Sequence, residues 1–292
     1  MRFLEPEQPM PQLDREEYIE QAYFWKMFLE RIADGVPAQE VIVQVGEEIL
    51  STTRLPMALD FLAGELRHKG LLSDGMSMMS HYFAPFQAFL MRRAEDETAK
   101  FDLRIALQIL QHEAEYRATE DASPSGLFLF LFECLARNRL GYHDGIQAIA
   151  DDSMFDAGWR QWMLWVRQQL GAAEFCEFLY MRSEFAVEEK RRSTRDPDWK
   201  ANVPILFGVR EGRIAKANRG KDPLYMFAAL QRQLGYPAVP RPDPKDNEKL
   251  IHPVIEDRLQ LLEKRLTLVE QELKEGGIDL TEFYKRADVQ DG

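Results

Sequence analysis

Few residues in this chain have the types and spacing that chemistry requires. Glu65 and His68 stand three apart, the spacing at which a carboxylate and an imidazole on one helix face a metal inside a helical bundle. A full site of that kind takes a second Glu-x-x-His from another helix, and the sequence has none. His112, Glu113 and Glu115 would add ligands only if packing brought them to Glu65; otherwise all five are solvated helix faces. Cys134 and Cys176 lie in apolar helical contexts with no CxxC spacing, so they read as buried free thiols of a reducing compartment. A nucleophilic cysteine or serine needs a positioned base beside it, and no such framework and no Gly-x-Ser-x-Gly is present. Gly208-Val209-Arg210-Glu211-Gly212 has the glycines of a phosphate cradle but reads as hairpin material with no helix start directly after it. No catalytic residue, metal site or cofactor is expected.

Basic residues are the other candidates. Arg210, Arg213 and Lys216, with Arg219 and Lys221, form the one dense cationic patch. It suits an acidic protein partner or a lipid headgroup surface, or else it keeps a hairpin soluble and protects its edge. The net charge of −12 argues against nucleic acid, whose phosphates call for a broad basic face.

The elements that must position these groups are helices. Asp14 is a fitting N-cap for a helix to Ala33, with Tyr18, Trp25, Phe28, Leu29 and Ile32 on one face. Gly35 ends it, and Pro37 opens a second helix, Ala38 to Leu50. Helices follow at Met57–His68, at a short segment from Ser73, at Phe86–Ala94 and from about Asp96 to Glu120. Six helices with short connections over residues 14–120 make an antiparallel bundle.

Gly35-Val36-Pro37, Gly70-Leu71-Leu72-Ser73, Tyr82-Phe83-Ala84-Pro85-Phe86 and Arg93-Ala94-Glu95-Asp96-Glu97-Thr98 follow one another in an order and spacing that resembles the type II secretion system F family. These are the inner-membrane platform proteins of secretion systems and type IV pili, and the likeness is to their cytoplasmic domain. The resemblance implies a non-enzymatic scaffold beside such a machine, contacting an assembly ATPase or inner-membrane subunits. It also implies a cytoplasmic location, peripheral to the inner membrane. The alternatives are a helical enzyme or metal-binding bundle with a scattered site of Glu65, His68, His112 and Glu115, and a helical adaptor unrelated to secretion. The family has glycines where Glu95 and Ala99 stand here, and it follows its domain with a membrane span. No run of about twenty apolar residues occurs in this chain; Gly126–Phe132 is too short and reads as core.

Past the linker Asp121–Gly126, residues 127–190 read as a degenerate second copy of the bundle. A helix ends at Leu140-Gly141, Gly145–Ala150 follows, then Trp159–Leu170, Gly171 and Phe175–Met181. Trp159, Trp162 and Trp165 form a broad stripe that belongs to a core, or to an interface if exposed. Ser183–Asn202 reads as a charged linker or solvated helix end. Val203–Val209 and Arg213–Ala217, flanking a turn, predict a β-hairpin packed on a helix, Leu224–Leu234, over residues 203–237.

Two terminal segments complete the expectation. Residues 1–13 hold Pro6, Pro9 and Pro11, with neither the basic start nor the apolar run of a signal peptide, and read as an extended tail. In the segment 253–287, Leu259, Leu262, Leu266, Val269 and Leu273 keep heptad spacing and predict a helix for partner binding or homo-oligomerisation. The expected fold is therefore all-α: one or two six-helix bundles, a hairpin module and a C-terminal heptad helix.

Overall fold

The computed structural model describes residues 13–96, 98 and 101–241. Thirteen helices occur among the described residues, joined mostly by short turns. The first six are α1 (Arg15–Ala33), α2 (Ala38–Glu48), α3 (Leu55–Lys69), α4 (Leu72–Met78), α5 (Pro85–Glu95) and α6 (Leu103–Arg117). The rest are α7 (Pro124–Asn138), α8 (Tyr142–Ala150), α9 (Ala157–Gln169), α10 (Phe175–Met181), α11 (Glu184–Thr194), α12 (Val209–Ala217) and α13 (Pro223–Leu234). The all-α expectation is met.

Helix α1 packs along α6, burying Phe24, Trp25 and Phe28 with Ala106, Leu107 and Leu110. The faces of α2 and α3 that carry Val41, Ile42, Val45, Leu59, Leu62 and Leu66 close the same core, as their 3.6-residue period requires. Helix α7 is different: every residue from Gly126 to Leu135 is buried, so it is covered on all sides. Its Phe128 meets Trp159 and Trp162 of α9, and its Phe132 stacks on Phe175 of α10 at 4.0 Å. Trp165, the third of the tryptophan stripe, sits at the margin, edge-on to Phe178. One continuous core runs from Phe24 to Tyr236, so helices on both sides of Asp121 share it.

The order of elements recurs across that point. A long helix (α1, α7) leads to a left-handed glycine, Gly35 or Gly141, at φ 85° or 88°. Two helices follow, then a second left-handed glycine, Gly70 or Gly171, then a seven-residue helix, α4 or α10. A side chain at these four positions would be strained, which is why the sequence uses glycine there.

The β-hairpin expected over Val203–Ala217 is not formed. Only Phe207 keeps an extended contact, an isolated bridge with Ser183, and Val209–Ala217 is helix α12. The reason lies at Gly212. A Cβ there would fall 2.1 Å from Ser183 Oγ and 2.8 Å from Phe185 Cβ. This glycine marks close approach of α12 to the start of α11, and not a turn. Its neighbours obey a helical period, with Glu211, Gly212 and Ala215 buried and Arg210 and Arg213 exposed. Ser183–Asn202 is likewise not simply a linker, because Ser183 caps α11 by accepting from Ala186 N at 3.3 Å. The sixth helix starts later than expected, at Leu103, with Asp102 accepting from Arg104 N at 2.7 Å. The heptad residues Leu259, Leu262, Leu266, Val269 and Leu273 and the tail 1–12 lie outside the described residues.

Candidate functional site

The segment Arg182–Lys221, which contains α11 and α12, is the most basic stretch among the described residues, with the excess on α12 and on the segments that flank the two helices. Arg182 to Lys221 holds eleven Lys/Arg against six Asp/Glu, a local excess of five positive charges in a chain of net charge −12. The three expected contact residues divide into two kinds. Arg210 and Arg213 are exposed on α12. Arg213 stacks its guanidinium 5.6 Å from the centre of the Phe185 ring, a contact that fixes its direction and leaves its donors free. Lys216 is half-buried and held inward, its Nζ 2.5 and 2.7 Å from the two carboxylate oxygens of Glu189. That bond, with one from the Tyr180 hydroxyl, holds Glu189 below the usual carboxylate range. Lys216 therefore joins α12 to α11 and supports the surface more than it presents one. Arg219 stacks at 4.4 Å on Tyr180 and donates to Glu177 at 2.8 Å. Lys190, Arg195 and Lys200 extend the exposed cationic area.

Gly208 proves to be the N-cap of α12, which corrects the expectation that no helix starts beside it. The site is nevertheless closed to a phosphate. Glu211 folds its own carboxylate back over this terminus, so that even a Cβ on Gly208 would lie 2.6 Å from Glu211 Oε2. An internal anion already complements the helix dipole.

Helices α1 and α2 form the opposite kind of face. Arg15 to Glu48 holds eight Asp/Glu against three Lys/Arg, and no Lys or Arg occurs between Asp34 and Thr53. Four apolar side chains stand out from it: Ile19, Tyr23, Val43 and Leu50, between 39% and 55% exposed. Tyr23 donates to Glu48 at 2.8 Å, Arg31 pairs with Glu48, and Glu20 accepts from Leu50 N at 3.3 Å. These bonds tie Tyr23, Arg31 and the Leu50 backbone to the carboxylates of Glu48 and Glu20. Sequence reading gives these four apolar residues no role, since none of them lies on the helix faces expected to be core.

A third set of polar residues is buried. Arg117 on α6 donates to Glu113 at 2.7 and 3.0 Å and pairs with Asp152, which lies between α8 and α9. All three side chains are 4% exposed or less. Burial pushes the Glu113 carboxyl above the usual range, against the pull of Arg117. Nearby, the Tyr82 hydroxyl donates to Glu17 at 2.8 Å, and Glu17 accepts from Arg54 N at 2.8 Å. Burial first, and the Glu17 bond second, hold the Tyr82 phenol far above its ordinary value. A cavity of ≈ 30 Å³ adjoins Tyr18, Gln87, Arg117 and Asp152. It has room for ordered water and none for a metabolite, which takes about 300 Å³ or more. This network is a polar strut between helices.

The scattered metal candidates are not brought together. Glu65 pairs with Lys69 at 2.8 Å, and His112 donates from Nδ1 to Ala238 O at 3.1 Å. Glu115 accepts from Gln111 at 2.8 Å, and His68 is exposed. Among the described residues no group of three or more His, Cys, Asp and Glu could hold a metal ion. Cys134 and Cys176 are free and buried, as expected. No described helix is long and apolar enough to cross a membrane. Comparison with protein-family models, curated proteins and solved structures gives no match.

Proposed function

We propose that this chain is a non-catalytic helical scaffold or adaptor that works by protein contact, with the exposed guanidinium groups of Arg210 and Arg213 on α12 as its contact point. The observation that carries the reading is the concentration of positive charge in Arg182–Lys221, on α12 and on the segments that flank the two helices, in a strongly acidic chain. Such a face steers an acidic partner and fixes its orientation. Stacking of Arg213 on Phe185 lowers the ordering cost of that contact. The resemblance of the first six helices to the cytoplasmic domain of secretion and pilus platform proteins names the partner class: an assembly ATPase or an inner-membrane assembly subunit. The chain then sits in the cytoplasm at the inner membrane.

The test is an affinity pull-down from native cells with membranes retained, read by mass spectrometry, using the wild type and Arg210→Glu/Arg213→Glu. Recovery of such subunits by the wild type and their loss from the variant is the expected result. Recovery of only soluble metabolic proteins, or an unchanged set with the variant, refutes the reading.

A further inference from the structure

We propose that the acidic partner of the α11–α12 face is the α1–α2 face of a second copy of this chain, so that copies join head to tail. The inference rests on the reading of Arg210 and Arg213 as a protein contact, and puts a second copy at these residues in place of a machine subunit, which then meets the remaining surfaces of the joined copies. The two segments are opposite in charge: Arg15–Glu48 carries an excess of five negative charges, the buried Glu17 included, and Arg182–Lys221 an excess of five positive ones. Glu40 and Glu47 stand exposed on α2, and Arg210 and Arg213 stand exposed on α12.

Both segments also combine exposed apolar and charged side chains, the two ingredients of an interface. On the acidic side Ile19, Tyr23, Val43 and Leu50 are exposed beside Glu20 and Glu48. On the basic side Val203 and Ile205 are 37% and 36% exposed in the segment that leads into α12. Neither face has to be organised by its partner. Glu48 is already held by Tyr23 and Arg31, and Arg213 is already stacked on Phe185. Ordering costs on association are correspondingly small. The overall charge of −12 does not forbid the contact. At physiological salt, exposed charges more than about 8 Å apart are largely screened, while paired rim charges lie well inside that distance.

The contact is heterologous. Each added copy leaves one acidic and one basic face free, so assembly continues into a ring or an open row. A row of identical scaffolds would present its remaining surfaces at a regular spacing, which suits binding to a multi-subunit partner.

The experiment is sedimentation velocity of the full chain over a range of protein concentrations, at low and at high salt. Two variants accompany the wild type: Glu40→Lys/Glu47→Lys on α2 and Arg210→Glu/Arg213→Glu on α12. Their melting curves, compared with the wild type, establish that both fold. The wild type is expected to associate with increasing concentration and to dissociate in high salt. Each variant alone is expected to associate at least about tenfold more weakly, a loss of 1.4 kcal/mol or more. An equimolar mixture of the two variants is expected to associate again, because one supplies the native basic face and the other the native acidic face. A wild type that stays monomeric throughout, variants that associate like the wild type, or a mixture that does not recover would each overturn the proposal. If the wild type is monomeric and yet Arg210→Glu/Arg213→Glu loses its cellular partners, self-pairing fails and the partner reading stands. If the substitutions change neither association nor the recovered partners, both fail.

Discussion

Replacing Arg117 with methionine tests how the two halves of the chain are held together. The side chain is 4% exposed and answers two carboxylates, Glu113 on its own helix and Asp152 from the turn between α8 and α9. Methionine keeps most of the hydrocarbon volume and removes the charge. Two buried carboxylates then face each other with no cation between them. Breaking a buried pair in this way costs about 3–5 kcal/mol. For a domain of this size each kcal/mol lowers the melting temperature by about 2–4 °C, so the expected fall is about 6–20 °C. Far-UV circular dichroism melts read it directly. The pH dependence supplies a second check. Burial already holds the Glu113 carboxyl above the usual range, with Arg117 pulling it down. A carboxyl so raised favours the fold below the ordinary carboxylate range, and that contribution is lost as pH rises through the raised value. Without Arg117 the value rises further, so the variant's deficit should be largest above that raised value and shrink as pH falls toward the ordinary carboxylate range. Glu113→Gln/Arg117→Met/Asp152→Asn, which removes all three charges, should recover much of the loss. A single variant that melts within about 2 °C of the wild type, or one whose deficit grows in acid, would show that the triad does not carry this load.

Other substitutions probe the remaining features. Gly212→Ala places a methyl group against Ser183 and Phe185, so α12 must move off α11; a loss of about 1–3 kcal/mol is expected in urea denaturation, and unchanged stability would argue against close packing there. Glu95 accepts from Leu72 N at 2.5 Å and Ser73 N at 3.1 Å, which satisfies the start of α4, so Glu95→Ala should cost about 0.5–2 kcal/mol in the same assay. Burial raises both thiols, Cys134 well above its ordinary value and Cys176 to about 11, where a bond to Glu174 adds to it. At about pH 8 neither should react with a thiol reagent in the folded protein, and both should react in urea; fast labelling of the native chain would contradict their burial.

Helix order and most helix faces were legible in the sequence because their signals are local. Apolar residues at three- and four-residue spacing gave α1, α2 and α3, and Asp222 announced α13, whose start it caps by accepting from Leu224 N at 2.9 Å. Gly212 misled for an equally physical reason. A glycine between two short apolar runs is a turn signal, and nothing in the sequence shows that Ser183, twenty-nine residues earlier, fills the space where its side chain would stand. The polar network was illegible for the same cause. Arg117 and Asp152 are 35 residues apart, Glu17 and Tyr82 are 65 apart, and no periodic pattern links residues at such separations. The basic cluster was readable as a cluster because its members are neighbours in sequence. That Lys216 would turn inward to Glu189 while Arg210 and Arg213 faced out depended on α12 being a helix.

The buried triad also limits how a sequence of this kind can change over time. Any lineage that loses Arg117 alone passes through a protein with two uncompensated carboxylates in its core, whereas loss of one carboxylate leaves Arg117 paired with the other. A loss of about 3–5 kcal/mol consumes a large part of the 5–15 kcal/mol that a typical domain possesses. Arg117 is therefore expected to be kept wherever either carboxylate is kept, or all three to be abandoned together for apolar residues of similar size. Because they tie α6 to the turn between α8 and α9, a recombination joint near Asp121 would separate Asp152 from the Arg117 that compensates it, while Arg117 would keep Glu113. Exchange of the first half with a distant counterpart should succeed only when the incoming piece brings a cation to the same place.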